Sequence, residues 1–165
     1  MFDFIVAFSF LGAVGALVLF LTAKTEREIS GGVKIVDGDS LFVNGEEVRL
    51  RGLDAPESQQ LCVIRGQQWP CGREASRHLR QLVSRKKVNC NGSNHDRYGR
   101  LLAKCYAGGL ELGLTMVRDG WAVGFGDYER EEAIAKAANK GIWAGDFDIP
   151  QDWRRHERSI DRWSK

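Results

Sequence analysis

Asn44-Gly45, set between two short β-type runs, does most to limit how this chain can fold. Both residues tolerate positive φ, so the pair reads as a tight hairpin turn. Before it lie Val33-Lys34-Ile35-Val36 and Ser40-Leu41-Phe42-Val43, parted by a second turn at Asp37-Gly38. After it, Glu47 to Leu53 alternates, with Val48 and Leu50 on one face and Arg49, Arg51 and Leu53 on the other. If Val48 and Leu50 enter a core, Arg49 must face the side where a ligand could reach it. Lys87–Asn91 and Arg100–Tyr106 form another strand pair around a turn at 96–99. Between the strand groups, Ser58 to Cys71 reads as an irregular loop.

Helical periodicity begins at Arg73, where Ala75, Leu79, Leu82 and Val83 share a face. Two more helices are expected over 109–120 and 128–140, the second ending at Gly141. Short strands, hairpin turns and interleaved helices predict an α+β fold, a small β-barrel with packed helices. An OB-fold is the candidate, because its curved face accommodates nucleic acid.

Ahead of this domain, Phe4 to Ala23 is almost continuously apolar. About 20 apolar residues suffice to cross a bilayer. Met1-Phe2-Asp3 lacks the basic n-region of a secretory signal, and Leu21-Thr22-Ala23 is a poor cleavage site. The expected organisation is therefore a transmembrane helix over 1–23, an uncleaved anchor, then a linker over 24–32, the domain over 33–150 and a basic tail over 151–165. Lys24 and Arg27 follow the span, which by the positive-inside rule favours a cytoplasmic domain. The cysteines point the other way. Cys62, Cys71, Cys90 and Cys105 are four, with Cys90 and Cys105 on paired strands, and disulfides persist in oxidising compartments. The expectation is a domain on the periplasmic or extracellular side of the cell membrane. A net charge of +2 is too small to identify a polyanionic partner by itself.

Three stretches carry chemistry: Asp37-Gly38-Asp39-Ser40, Val48-Arg49-Leu50-Arg51-Gly52-Leu53-Asp54-Ala55-Pro56-Glu57, and Asp96-Arg97-Tyr98-Gly99-Arg100. Clustered carboxylates suit a hard cation, and arginine forks suit phosphate oxygens. Taken singly, each has a plain reading as a turn or a surface ion pair. Together and in this order, they resemble the signature of the thermonuclease, or staphylococcal-nuclease-like, family of calcium-dependent phosphodiesterases. The resemblance runs from about Val33 to Trp143.

That resemblance implies a metal site at Asp39, Asp54 and the Ala55 carbonyl, holding Ca²⁺. It also implies a catalytic Arg49–Glu57 pair, a second catalytic arginine at Arg100, and substrate contacts at Arg97 and Tyr98. The implied activity is hydrolysis of DNA, with RNA a further candidate; the chain is expected to act as a monomer, tethered to the membrane by its apolar run. Three features depart from the family: a longer 57–74 loop with two cysteines, no closely spaced tyrosines around 125–128, and the apolar span, which lies outside the family's core pattern. The alternative is a tethered, non-catalytic module that binds nucleic acid or a partner. Degenerate members of that kind should lack a catalytic side chain, and none of the expected ones is missing. The tail, with Arg154, Arg155, Arg158 and Arg162, reads by default as a solvated basic segment, with binding of phosphates or anionic headgroups as the functional alternative.

Overall fold

The computed structural model describes residues 26–163. The apolar run expected to span the membrane lies outside them. Among the described residues, no helix is long and apolar enough to cross a membrane.

The strands are β1 (Arg27–Gly31), β2 (Val33–Ile35), β3 (Ser40–Val43), β4 (Glu46–Leu50) and β5 (Leu53–Asp54). They continue as β6 (Cys62–Ile64), β7 (Gln67–Trp69), β8 (Val88–His95), β9 (Leu101–Ala107), β10 (Leu110–Glu111) and β11 (Val123–Gly124). The helices are α1 (Cys71–Val83), α2 (Leu112–Arg118), α3 (Glu129–Ala137) and α4 (Pro150–Trp163), with a 3-10 turn over Gly141–Ala144.

The main sheet runs β1-β8-β9-β4-β3-β2, with β10 added to β9. Its two outer strands are consecutive in the chain, separated only by Gly32. The sheet must therefore curl until its edges nearly meet, which gives the OB-like barrel that the strand pattern anticipated. Asn44 and Gly45 both take positive φ, at 51° and 84°, as the hairpin required.

Alternation decides which side chains fill the barrel. Val48, Leu50, Leu101, Ala103 and Cys105 point inward and are buried, together with Leu41 and Val43. Ala75 and Leu79 of α1 and Leu112 and Met116 of α2 cover the same core. Each fully buried aliphatic side chain contributes about 1.5–3 kcal/mol, so Leu50→Ala alone should cost about 2–5 kcal/mol.

Several expectations need correction. The stretch read as linker supplies β1, paired along its length with β8. Ser30 and Asn89 reinforce that pair through a side-chain hydrogen bond. The irregular loop contains the hairpin β6–β7. Run 47–53 is not one strand: the chain turns at Arg51-Gly52, where Gly52 takes a φ of 87°. Leu53 is consequently buried, and β5 leaves the main sheet to pair with β11. The helix expected from 109 begins only at Leu112, after β10. The helix expected to reach 140 stops at Ala137, because Asn139 is already left-handed. The tail forms α4 instead of a solvated extension.

Cys62 bonds to Cys71 and Cys90 to Cys105, the second pair directly opposite in the β8–β9 register. The first disulfide ties the β6 hairpin to the start of α1.

Candidate active site

Sheet register places the first arginine. Ser40 stands opposite Arg49 in the β3–β4 ladder, and Leu50 N–H donates to the Asp39 carbonyl at 2.8 Å. With Val48 and Leu50 turned into the core, Arg49 is left facing outward beside Asp39. Its Nη1 donates to Asp39 Oδ1 at 2.9 Å and its Nη2 to Asp54 Oδ1 at 2.6 Å. Asp54 is held there because β5 pairs with β11, opposite Val123. Both carboxylates are only 3 % exposed.

The Asp37-Gly38 turn is built around the same carboxylate. Asp37 Oδ1 accepts from Asp39 N–H at 3.1 Å, while Ala55 N–H donates to Asp39 Oδ2 at 3.1 Å. Gly38 is required by packing: a Cβ there would stand 2.6 Å from the Ala55 Cβ. Ser40 Oγ donates to Asp39 Oδ1 at 2.9 Å and accepts from Arg100 Nη1 at 3.2 Å.

Arg100 is held by the β8–β9 turn. Its Nε and Nη2 donate to Asp96 Oδ2 at 2.8 and 2.7 Å, and the backbone N–H groups of Tyr98 and Arg100 donate to Asp96 Oδ1. Burial works to raise the Asp96 pKa, yet those bonds outweigh it and hold the carboxyl below its ordinary value. Tyr98 is 66 % exposed, with the guanidinium groups of Arg97 and Arg100 at 4.8 and 5.4 Å from its ring centre.

Glu57 pairs differently from the expectation. Its partner is not Arg49 but Arg154 of α4, whose Nη1 donates to Glu57 Oε1 at 2.6 Å. The same guanidinium also takes both oxygens of Asp54, at 3.0 and 2.8 Å. Burial works against the charge on Arg154, but Asp54 and Glu57 more than compensate and raise its pKa.

The result is one continuous chain of contacts, Arg100–Ser40–Asp39–Arg49–Asp54–Arg154–Glu57. It lies along a single cleft of about 1080 Å³. Arg97, Tyr98 and Phe125 line the same cleft. Arg49, Asp54, Glu57, Arg97, Tyr98 and Arg100 line this cleft, whereas Asp39 and Ala55 are buried beneath it, Asp39 bonded to Arg49 and to the Ala55 N–H. Among the described residues, six arginines line the cleft, namely Arg49, Arg51, Arg97, Arg100, Arg154 and Arg158, beside six carboxylates, and no lysine does. Planar forks of that kind recognise phosphate oxygens in bidentate fashion.

Comparison with known proteins agrees with this geometry. The family model described as staphylococcal nuclease homologue matches residues 47–145. The chain belongs to that family. It is similar to the succinoglycan biosynthesis protein ExoI of Rhizobium meliloti, 33 % identical over 81 % of this chain and 74 % of that protein. It is also similar to a probable staphylococcal-like nuclease of Oryza sativa, 33 % identical over 78 % of this chain but only 34 % of the plant protein. A Haemophilus influenzae protein named as an uncharacterized endonuclease is 33 % identical over 76 % of this chain and 72 % of its own length.

Within this nuclease-family site, Asp39 and Asp54 fit a hard divalent cation by their chemistry. Two buried carboxylates close enough to share one guanidinium repel each other. Burial first, then Asp37 and Asp54, push the Asp39 carboxyl up to about 7, against the opposing pull of Arg49 and the Ala55 N–H. A cation would relieve that repulsion. Among the described residues no cluster of three or more His, Cys, Asp or Glu is arranged to enclose a metal ion. Further ligands for a cation there would be carbonyls, water or phosphate oxygens.

Three participants escaped the sequence reading. Ser40 stands in the Asp37-Gly38-Asp39-Ser40 motif, but nothing local marks its hydroxyl as the bridge between Asp39 and Arg100. Gln60, fully buried, accepts from Glu57 N–H at 3.2 Å and donates to the Asp148 carbonyl at 2.6 Å, so it fixes both the Glu57 loop and the approach to α4. No local pattern announces such a bond. Arg154 did leave a signal: Gln151, Arg154 and Arg158 recur at helical spacing on one face.

Proposed function

We propose that this chain is a Ca²⁺-dependent phosphodiesterase that cleaves DNA, with RNA as a further substrate, acting as a monomer. The observation that carries the reading is the unbroken link from Arg100 to Glu57 along one arginine-lined cleft. The relatives named as nucleases support the same reaction class.

In this reading Asp39, Asp54 and the Ala55 carbonyl would hold the cation, which supplies Lewis-acid stabilisation of charge on a phosphate oxygen. Arg49 and Arg100 grip the phosphate from the floor and the β8–β9 side, and their donors strengthen as charge accumulates in the transition state. Glu57 accepts or orients the proton of the attacking water once Arg154 has yielded its oxygen. Tyr98, exposed at the cleft, offers a ring face to a base, and Arg97 reaches the backbone beside it.

The two disulfides support an oxidising compartment outside the cytoplasm. The apolar run from Phe4 to Ala23 supports a membrane tether, with the domain from β1 through α4 carried on the outer side.

The test is cleavage of plasmid DNA by the full chain with Ca²⁺ and with excess chelator. Hydrolysis that depends on Ca²⁺ and vanishes in Arg100→Ala is the expected result. Equal cleavage in chelator would overturn the metal role. Binding with no cleavage at all would overturn the enzyme in favour of a binding module.

A further inference from the structure

Helix α4 lies beyond the residues matched by the family model, yet it forms one wall of the cleft through Gln151, Arg154 and Arg158. These stand at i, i+3 and i+7, so they occupy a single helical face. The wall is built in rather than draped. Gln60 ties the Asp148 carbonyl to the Glu57 loop, and Val63 and Asp146 exchange two backbone hydrogen bonds at 2.8 Å. The Cys62–Cys71 disulfide secures the hairpin on which that bridge rests. Arg154 then clamps the helix to Asp54 and Glu57.

That clamp leaves the two cleft-lining arginines of α4, Arg154 and Arg158, in different states. Arg154 is committed to two carboxylates. Arg158, about 6 Å further along the helix axis, is exposed and has no carboxylate partner among the described residues. A helix held at its start and again at Arg154 presents Arg158 at a set position beside the cleft. A guanidinium with no carboxylate partner among the described residues fits, at that place, an anion that continues past the Asp39–Asp54 floor. In a polynucleotide, that anion is a phosphate flanking the one under attack.

We propose that α4 is a substrate-binding wall specific to chains of several nucleotides, and that Arg158 is its phosphate grip. The assignment rests on the reading of the cleft as a polynucleotide site, although it requires binding and not cleavage. Arg158 enlarges the footprint on the strand, so its contribution depends on substrate length and on salt. It takes no part in the chemistry at the scissile bond.

The experiment uses the full chain, as wild type, Arg158→Ala and Arg158→Lys. Binding of a labelled 20-nucleotide single strand is measured by anisotropy in chelator across a salt series. Arg158→Ala should weaken binding roughly fivefold to tenfold and flatten the log–log salt slope by about 0.7, the loss of one single-strand phosphate contact. Arg158→Lys should restore the slope and most of the affinity, since it keeps the charge but not the fork. With Ca²⁺ present, Arg158→Ala should raise KM on the 20-mer by more than it lowers kcat.

Wild-type affinity and slope in Arg158→Ala would overturn the proposal. So would a loss of binding to anionic phospholipid vesicles with DNA binding intact, which would reassign α4 to a membrane surface. A wild-type protein that binds the strand through Arg158 but cleaves nothing in Ca²⁺ would sink the phosphodiesterase reading and leave the wall standing. Cleavage by wild type with binding unchanged in Arg158→Ala would do the reverse.

Discussion

The floor and the helical wall of the cleft hold carboxylates by different means. On the floor, Asp39 and Arg49 are placed by the β3–β4 register, and Asp54 by the β5–β11 pairing. Moving any of them requires breaking the ladder. At the wall, Arg154 reaches the same Asp54 from a helix whose approach depends on one buried glutamine, one two-bond bridge and one disulfide-closed hairpin. The floor is therefore as stable as the barrel, whereas the wall can yield without unfolding it.

Removing the floor's central arginine should have the largest effect. Arg49→Ala leaves two buried carboxylates without their shared partner, and should destabilise the protein by about 3 kcal/mol. It should also reduce kcat/KM by about 10²–10³-fold, the usual result of losing a transition-state donor. Thermal denaturation and single-turnover cleavage check the two parts. Arg154→Gln, by contrast, should leave the melting temperature within a few degrees of wild type and tighten Ca²⁺ binding in calorimetry, because Asp54 loses one of its two guanidinium partners and frees Oδ2. If Arg154→Gln costs as much stability as Arg49→Ala, the distinction between floor and wall is wrong.

Next in size is the hairpin. Cys62→Ser with Cys71→Ser removes a crosslink nine residues apart in sequence and should cost about 2–3 kcal/mol. The loss should be uneven. Hydrogen exchange should quicken over 60–72 and 145–150 while the amides of Val48 and Leu50 remain protected. Uniform loss of protection would mean that the hairpin supports the whole barrel and not the wall alone. Gly72→Ala reaches the same region by another path, since a Cβ there would overlap the Glu57 carbonyl oxygen. It should lower activity by displacing Glu57 while sparing the sheet.

These contrasts also explain what could be read in the sequence. The floor was legible because its determinants are local: alternation sets Arg49 opposite Val48 and Leu50, and Asp37-Gly38 and Asn44-Gly45 are turns with a physical cause. The resemblance then supplied roles that alternation could not. β1 was missed because Arg27–Gly31 has a single large apolar residue, Ile29, and its strand character comes from pairing with β8. The β6–β7 hairpin was hidden by Arg65-Gly66, whose positive φ values mark a turn that reads as a break without its partner strand. The Glu57–Arg154 pair joins positions 97 residues apart. Only the folded chain brings them together, and the same holds for Gln60 and Asp148.

The smallest predicted effect concerns the opposite side of the floor, where Asp96 holds Arg100. Hydrogen bonds from Arg100 and Tyr98 depress the Asp96 carboxyl below its ordinary value despite its burial. A group with a depressed folded pKa contributes stability that is fully present above its unfolded pKa, about 3.9, and is lost as pH falls through the folded value. Asp96→Asn should therefore cost about 1–2 kcal/mol at neutral pH, the scale of hydrogen bonds to a charged group. The gap between variant and wild type should close in strongly acidic solution. Activity should follow the same order: Arg100 loses its ionic hold but keeps the Ser40 contact, so kcat should fall by about tenfold at most. Urea denaturation of both proteins from pH 3 to 7 is the measurement. A difference that stays constant over that range would show that Asp96 acts through turn geometry alone, and that Arg100 is held by the backbone of the β8–β9 turn and not by charge.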